Sequence, residues 1–314
     1  MTNNIVVSIC CITYNHAPYI RECLDGFLMQ KTDFAFEVLI HDDASTDGTT
    51  EIIKEYEAKC PDIIKPLYEE ENQWVKGRRG NKEFNYPRAR GKYIALCEGD
   101  DYWTDPLKLQ KQVDFLEANT DYSLCFHAAK LVEYGIVCNN SSFSKIRDKE
   151  YTGIEIFETW QVPTASIVYR ATLLTSQIYK SVICSKNFIY GDTPLICAAS
   201  TIGKLRGLSD EMSVYRRNDG SITMGEKPLS FWKRYYNHIL EFGNIFEGEF
   251  YKSSKKVAAN TCARISAHFI RAMRIKDAIS FISYSLKFNR FRTVIALMAY
   301  PYKYIKIKLC SHKR

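Results

Sequence analysis

The sequence has 314 residues, 46% of them hydrophobic, a mean hydropathy of −0.27 and a net charge of +7. This length holds one large α/β domain with an appended segment, and this composition is typical of proteins that fold around an apolar core in water. Because the longest apolar runs end before the ~18 residues of a membrane span and the N-terminus lacks the basic segment of a signal peptide, we expect a cytoplasmic protein.

The first half alternates apolar, β-branched segments with amphipathic ones. In chain order these predict a strand over 5–12, a helix over 18–30, a strand over 36–40, a helix ending near 59, strands over 63–68 and 93–97, a helix over 105–119 and a strand over 122–126. Such alternation predicts βαβ units and a mostly parallel sheet flanked by helices.

Polar clusters follow three of these predicted strands. They are Thr13 to Asn15, Asp42-Asp43 and Asp100-Asp101. Ligands of parallel sheets bind beyond the carboxyl ends of the strands, so we expect the three clusters to meet in one crevice.

The second half is less regular. We predict a polar loop over 135–151, a strand over 162–169, a helix over 194–202, a strand over 212–216 and helices from 228 onward. The eleven cysteines are scattered without metal-ligand spacing, so we expect buried thiols in a reducing compartment rather than disulfides or a zinc site.

The C-terminal segment is strongly basic. Residues 251–314 contain 15 Lys and Arg and one acidic residue, interleaved with aromatic side chains. Such a segment predicts contact with an anionic membrane surface. A helical cap with a solvated basic face remains an alternative, whereas no motif supports nucleic-acid binding.

The Asp100-Asp101 pair suits divalent-metal chemistry. A departing nucleotide diphosphate accumulates negative charge, which Mg²⁺ or Mn²⁺ neutralises, and these ions prefer carboxylate oxygens. Adjacent carboxylates after a buried strand diverge, so one can face a metal and the other a ribose. Aspartates in turns are more often solvated or capping residues, which is the alternative for the pair taken alone.

Three segments together resemble a known family. They read SICCITYN over 8–15, EVLIHDDASTDGT over 37–49 and GKYIALCEGDDYW over 91–103. In order and spacing they resemble the signatures of inverting family 2 glycosyltransferases with the GT-A fold, over residues 5–225. The resemblance implies a catalytic domain over 1–225, with a nucleotide-binding half over 1–130 and an acceptor-binding half over 131–225. The basic helical region over 226–314 would be an appendage.

The resemblance also implies nucleotide contacts. Thr13, Tyr14 and Asn15 would border the nucleobase, with Tyr14 stacking on it. Asp43 would accept a hydrogen bond from the N3–H of uracil, which favours a UDP-sugar, and Asp100 would face the ribose or the sugar. Alternatives are a core or rim aromatic for Tyr14 and a helix cap for Asp43.

Asp101 would hold the Mn²⁺ or Mg²⁺ ion, as the second aspartate of the family's D-x-D motif. Relatives often supply a further histidine ligand where this chain has Asn218, which leaves a third protein ligand open. Four cations could contact the diphosphate, with solvated surface charge as their alternative. They are Arg216, Arg217, Lys82 and Arg88.

Inversion needs a base that takes the proton of the acceptor hydroxyl. The family places it at the start of a helix in the second half, where Asp192 is the match. The alternative is a plain helix cap two residues before Pro194.

The resemblance thus implies transfer of a sugar, with inversion, from a UDP-type donor to a growing, lipid-linked glycan of a bacterial surface polysaccharide. Two rivals remain. A nucleotidyltransferase would want a Gly-rich basic loop after the first strand, and a catalytically inactive module would bind nucleotide or glycan without turnover.

Overall fold

The computed structural model describes residues 4–133, 135–143, 145–217 and 226–311, and it describes the side chains of these except at 137–142 and 301–311. The chain forms two compact units. Met1–Ile183 with Leu195–Met224 is the sheet unit, and Cys184–Pro194 with Gly225–Arg314 is the helical unit. The helical unit therefore includes a short segment from within the expected 1–225 domain, and the functional division itself stays a prediction.

Among the described residues, a single 10-stranded sheet lies at the centre of the sheet unit. Its strands in the described part of the chain are β1 (Ile5–Thr13), β2 (Ala35–Asp42), β3 (Ile64–Tyr68), β4 (Tyr93–Glu98), β5 (Tyr102–Trp103), β6 (Tyr122–Glu133), β7 (Ile136–Ser142), β8 (Lys149–Tyr151), β9 (Val168–Arg170) and β10 (Lys204–Arg217). Their order is β3-β2-β1-β4-β9-β6-β10-β5, with β7 beside β6 and β8 beside β10. Strands β3-β2-β1-β4 are parallel, as are β6 and β10, whereas β9 runs antiparallel between β4 and β6.

The helices of the described residues belong to both units. They are α1 (Ile20–Leu28), α2 (Thr49–Lys59), α3 (Lys108–Ala118), α4 (Gly153–Thr159), α5 (Gln177–Cys184), α6 (Asp192–Ile202), α7 (Leu229–Phe246), α8 (Gly248–Arg271) and α9 (Ile275–Ser311). Helix α6 begins in the helical unit and belongs to the sheet unit from Leu195 onward.

The parallel half of the sheet holds the main core. Val7 and Ile9 of β1, Ile40 of β2 and Ala95 of β4 are fully buried in one apolar cluster. Strands covered on both faces carry apolar side chains without alternation, which is why the sequence predicts them well. Their carboxyl ends lie at one edge of the sheet, because β1 pairs in parallel with both neighbours.

The polar loop expected over 135–151 is wrong. Strands β7 and β8 occupy much of it, as short antiparallel neighbours of β6 and β10. Strands beside one neighbour need no apolar face, so their polar sequence resembles that of a loop.

The strand expected over 162–169 is also largely wrong. Residues Thr164–Ser166 form a 3-10 turn, and β9 begins only at Val168. Pro163 lacks a donor for a strand ladder, and its carbonyl accepts bonds from both the amide and the hydroxyl of Ser166, at 3.0 and 2.6 Å.

Three helices, α7 to α9, dominate the helical unit. Buried Tyr236 and Phe242 of α7, Cys262 and Phe269 of α8, and Phe281 of α9 contribute to its interior. Helix α9 is interrupted at Asn289, whose φ of −154° and ψ of 54° are not helical. None of the helices in the described ranges is both long and apolar enough to cross a membrane.

Most of the cysteines are buried. Nine have side chains that the structure describes, and all nine of these are free. Seven of them are buried, where they act as small apolar side chains.

Candidate functional site

The loops after β1, β2 and β4 meet, as expected for the ends of neighbouring parallel strands. The amide of Asp43 donates to the carbonyl of Thr13 at 3.0 Å, and the amide of Gly99 donates to that of Ile12 at 2.9 Å. A Cβ at Gly99 would lie 2.7 Å from the Thr13 hydroxyl, so only glycine permits this approach. The three polar clusters therefore border a single site.

The loop after β1 is fastened to the loop after β2. Asn15 has a φ of 54°, and its amide donates to the hydroxyl of Ser45 at 2.9 Å. Its side-chain oxygen accepts from the amide of Thr46 at 2.8 Å. Tyr14 next to it is 45% exposed, which excludes a core role and leaves its ring available for stacking. Asn15 thus has a loop-bracing role in addition to the nucleotide contact predicted for it.

Asp43 does not cap a helix. Its Oδ1 accepts from the amide of Gln73 at 2.5 Å and its Oδ2 from the amide of Trp74 at 3.1 Å. Asp47 takes the capping role instead, because it accepts from the amide and the hydroxyl of Thr49 at 3.1 and 2.6 Å. Each oxygen of Asp43 keeps a second lone pair, so the carboxylate can still accept from a ligand N–H.

Asp101 is almost completely buried, 1% exposed. Its Oδ1 accepts from the amide of Arg216 at 2.8 Å. Its Oδ2 is buried and has no hydrogen-bond partner among the residues that the structure describes. Burial raises the pKa of Asp101 well above its usual range, and the neighbouring charges of Asp100 and Glu98 raise that pKa further. A cation at Oδ2 would reverse this penalty on the ionised form.

The residues present fit a hard divalent cation held through one carboxylate. The described ranges contain no group of three or more His, Cys, Asp and Glu side chains arranged to hold a metal. Magnesium and manganese ions at nucleotide sites commonly take one or two carboxylates, with phosphates and water completing the shell. Asn218, where relatives often have a histidine, lies outside the described residues.

Arg216 braces the acidic turn. Its guanidinium donates to the carbonyl of Asp100 at 2.7 Å and forms an ion pair with Glu22 of α1. The rings of Tyr102 and Tyr19 flank it at 4.2 and 5.2 Å. Burial lowers the pKa of Arg216 to about 10, so the alternative of a solvated surface charge is wrong for this residue. A diphosphate contact by Arg216 stays a prediction.

The other three cations have protein partners. Arg217 pairs with Glu133, and Lys82 donates to the carbonyl of Ile183 at 2.7 Å. Arg88 donates to carbonyls of both β2 and β3, each at 2.8 Å, which makes it a strut beneath the strands. These contacts lend no support to diphosphate binding by the three, and that role stays a prediction.

His16 is a site residue that the sequence analysis missed. Its Nδ1 lies 3.2 Å from the hydroxyl of Thr13 and would lie 3.0 Å from a Cβ at Gly99. Burial lowers the pKa of His16, against the opposing charges of Asp100 and Asp47. Its position in the same loop, three residues after Thr13, is the sequence feature that could have identified His16 as a site residue.

Asp192 is the first residue of α6, in the helical unit. Burial raises the pKa of Tyr190, and the charge of Asp192 adds to that increase. The catalytic role of Asp192 stays a prediction.

Solved structures of other proteins share this fold. S. aureus TarS (residues 1–349) in complex with UDP-GlcNAc has a TM-score of 0.68 at 19% identity, over 96% of this chain and 92% of that one. The mannosyltransferase PcManGT of Pyrobaculum calidifontis, in complex with GDP-Man and Mn²⁺, has a TM-score of 0.54 at 17% identity, over 95% and 85%. The expected α/β fold of the GT-A type is confirmed.

Sequence relatives match part of the chain. An uncharacterized protein of Mycobacterium tuberculosis is 38% identical over 68% of this chain and 59% of its own length. An uncharacterized glycosyltransferase of Nostoc is 25% identical over 67% of this chain and 64% of its own length. TuaG of Bacillus subtilis, named as a candidate glycosyltransferase of teichuronic acid biosynthesis, is 33% identical over 49% and 66%. The chain thus spans about three fifths of the length of the mycobacterial relative.

The sequence model of glycosyl transferase family 2 matches residues 8–166, half of the chain, including the loops after β1, β2 and β4. With the fold and the convergence of those loops, the match identifies the chain as a member of glycosyl transferase family 2.

Proposed function

We propose that this protein transfers a sugar, with inversion, from a UDP-sugar to a growing glycan. The observation that carries the proposal is the buried Asp101, whose Oδ2 has no partner among the described residues, at the point where three strand-end loops meet. Family membership supports glycosyl transfer as the reaction, and the site chemistry supports a diphosphate donor.

Uracil recognition is proposed for Tyr14 and Asp43. The exposed ring of Tyr14 would stack on the base, and Asp43 would accept from its N3–H. The amides of Gln73 and Trp74 fix both oxygens of Asp43, so the acceptor is preorganised. A structural neighbour, TarS, has been solved with UDP-GlcNAc, which agrees with a uridine donor.

A divalent ion, Mn²⁺ or Mg²⁺, is proposed at Asp101. When bound, such an ion neutralises the negative charge of the diphosphate. The protein's own part is to hold Asp101 rigidly, through the amide of Arg216 and the guanidinium bond to the carbonyl of Asp100. Asp100 would orient the ribose or the sugar.

Asp192 is the proposed base. Its carboxylate would take the proton of the acceptor hydroxyl as that oxygen attacks the anomeric carbon. The bond from this carbon to the diphosphate oxygen breaks in the same displacement, UDP leaves, and the sugar is inverted.

The proposed acceptor is a lipid-linked glycan of a bacterial surface polysaccharide. TuaG is named for a cell-wall glycan pathway, and the basic segment over 251–314 suits a peripheral position on the inner face of an anionic membrane. A catalytically inactive module that binds nucleotide or glycan is the second candidate, because this chain has Asn218 where relatives often have a histidine that completes the metal shell.

Slow hydrolysis of UDP-sugars tests the proposal. We expect Mn²⁺-dependent release of UDP from at least one UDP-sugar, and faster release once an acceptor is present. Asp192→Asn should lower transfer about 100-fold or more while leaving UDP affinity within about twofold, as expected for loss of a general base. UDP binding without turnover on any donor and acceptor would favour the inactive module.

A further inference from the structure

A basic cleft lies within the helical unit. It has a volume of about 630 Å³. Its lining comprises Glu226, Lys227, Trp232, Arg264, Ile265, His268, Arg271 and Ala272. The sequence analysis assigned a basic character to this region as a whole but identified no site in it.

Helix α8 provides one wall of the cleft. Arg264, His268 and Arg271 follow one another at intervals of four and three residues, which places them on one helical face. All three are exposed. Two permanent cations and an imidazole are thus aligned along about two turns of helix.

The cleft has an excess of positive charge. Glu226 is its sole acid among the described lining residues, and its carboxylate accepts from Arg274 at 2.6 Å. The guanidinium of Arg264 makes no hydrogen bond or ion pair with another described residue, and Lys227 lies 5.8 Å from the ring of Phe231 without an acidic partner there. Guanidinium groups match phosphate oxygens in geometry, so the cleft suits a phosphate group.

Apolar groups border the same cleft. Trp232 and Ile265 belong to the lining. Apolar side chains beside cations in the same lining suit a ligand with both a phosphate and an apolar chain.

We propose that this cleft binds the phosphate of a lipid, with Arg264 and Arg271 on the phosphate and Trp232 beside the adjoining apolar chain. The shared chemistry is a phosphate ester on an apolar chain, which an isoprenoid phosphate and an anionic glycerophospholipid both provide. The inference rests on the proposed function only in linking the site to a lipid-linked acceptor or to the membrane surface.

Calorimetric titration of the full chain with four soluble probes tests the site. The probes are farnesyl phosphate, dihexanoylphosphatidylglycerol, inorganic phosphate and farnesol. We expect farnesyl phosphate or dihexanoylphosphatidylglycerol, or both, to bind tenfold or more tightly than inorganic phosphate and than farnesol. The probe that binds more tightly shows whether the natural ligand is an isoprenoid phosphate or a glycerophospholipid. Equal binding of inorganic phosphate or of farnesol, or no binding of either lipid, overturns the proposal.

Variants assign the binding to the cleft. Arg264→Gln with Arg271→Gln should weaken lipid-phosphate binding at least tenfold. The matched control is Arg290→Gln with Arg292→Gln, which removes two exposed charges from α9 and should leave binding within twofold. Equal losses in the two double variants would mean that overall charge, not the cleft, binds the probe.

The emission of Trp232 separates this site from the nucleotide site. Lipid phosphate should change the tryptophan fluorescence of the wild type but not of Trp232→Phe, whereas a change retained in Trp232→Phe contradicts the placement. UDP-sugar hydrolysis should be unchanged in Arg264→Gln with Arg271→Gln. If all forms lack hydrolysis while lipid phosphate still binds, the proposed function fails and the cleft assignment stands.

Discussion

Burial makes the ionised form of Asp101 unfavourable in the protein alone, whereas the same carboxylate is a good ligand for a divalent cation. Burial and two neighbouring acids penalise its ionised form, and Oδ2 has no partner among the described residues. Residues of this kind are destabilising in the free protein and become stabilising once a cation binds. Stability measurements therefore report on metal binding without any need for turnover.

We predict that Asp101→Asn abolishes metal-linked stabilisation. In the wild type, Mn²⁺ at one hundred times its Kd should add about 2.7 kcal/mol to the free energy of unfolding, but in the variant it should add almost nothing. The variant without metal should be at least as stable as the wild type, because a buried negative charge is lost. Thermal unfolding with and without Mn²⁺ measures both effects.

Glu117→Gln is the control for this prediction. Glu117 is an exposed acid of α3 that pairs with Lys92, so its loss should leave the metal response intact. Equal Mn²⁺ stabilisation of Asp101→Asn and the wild type would remove Asp101 from the metal site.

The sequence indicates the acidic residues at the strand ends but not the groups that donate hydrogen bonds to them. Asp43 and Asp101 each follow a buried apolar strand, and that position is visible in the sequence. The donors to Asp43 come from a loop thirty residues later, and the donor to Asp101 comes from β10, more than a hundred residues away. These hydrogen bonds form only when distant segments of the folded chain come together, so no local sequence pattern predicts them.

At the scale of elements, Arg216 joins three parts of the sheet unit. From β10 it contacts Glu22 of α1, the carbonyl of Asp100 in the turn after β4, and Tyr102 of β5. The position of the acidic turn therefore depends on a strand that the sequence predicted only over 212–216, whereas β10 extends over Lys204–Arg217.

We predict that Arg216→Lys lowers kcat for UDP-sugar hydrolysis about tenfold, or about 1.4 kcal/mol, because one ammonium cannot span both oxygen partners. Affinity for UDP without metal separates this role from the predicted diphosphate contact, because only loss of that contact would weaken UDP binding more than twofold. Arg21→Lys, an exposed residue of α1 paired with Glu55, should change neither quantity. If the two lysine variants lose kcat equally, Arg216 does not position the turn.

Burial on both faces of a strand explains which elements the sequence predicts correctly. Strands β1, β2 and β4 have no exposed face, so their apolar runs identify them. Strands β7 and β8 lie beside single neighbours, and β9 follows a turn fixed by Pro163 and Ser166, so their sequences carry weak patterns. Helices α4 and α5 were also missed, because 7 and 8 residues are too few for a helical period to be distinctive.

Helix α7 places a histidine in the interior of the helical unit. The Nδ1 of His238 accepts from the amide of Ile189 at 3.3 Å, and the ring packs edge-on against Phe188 and Phe242. Burial lowers the pKa of His238 from 6.5 to about 3. The unfolded chain therefore binds a proton between pH 6.5 and pH 3 that the folded chain does not.

We predict that the free energy of unfolding of this unit falls as pH decreases through that window, by about 1.4 kcal/mol for each pH unit. The variant His238→Asn keeps an acceptor near the amide of Ile189 but cannot take up a proton. It should be less stable at pH 7 and should have a flatter acid limb. Urea unfolding from pH 7 to pH 4 measures the slope, and identical slopes would show that other groups control acid stability.

At the scale of the whole molecule, charge and apolar exposure coincide in the C-terminal helices. Beyond the kink at Asn289, α9 exposes Phe291, Val294, Ile295 and Met298, which share one helical face. Phe291 is 78% exposed and Met298 71%. In water this arrangement is costly, whereas at a membrane surface the same face is buried while the surrounding cations meet anionic headgroups.

We therefore predict that the full chain sediments with anionic vesicles, and less so as salt is raised. Phe291→Ser with Met298→Ser should lower partitioning tenfold or more, because burial of each side chain is worth about 1.5 kcal/mol or more. Val75→Ser in the sheet unit is the control, since Val75 is equally apolar and 82% exposed but lies far from the basic segment in sequence. Vesicle binding that survives loss of the α9 face but responds to salt would leave charge alone as the attraction, and the amphipathic role of α9 would be wrong.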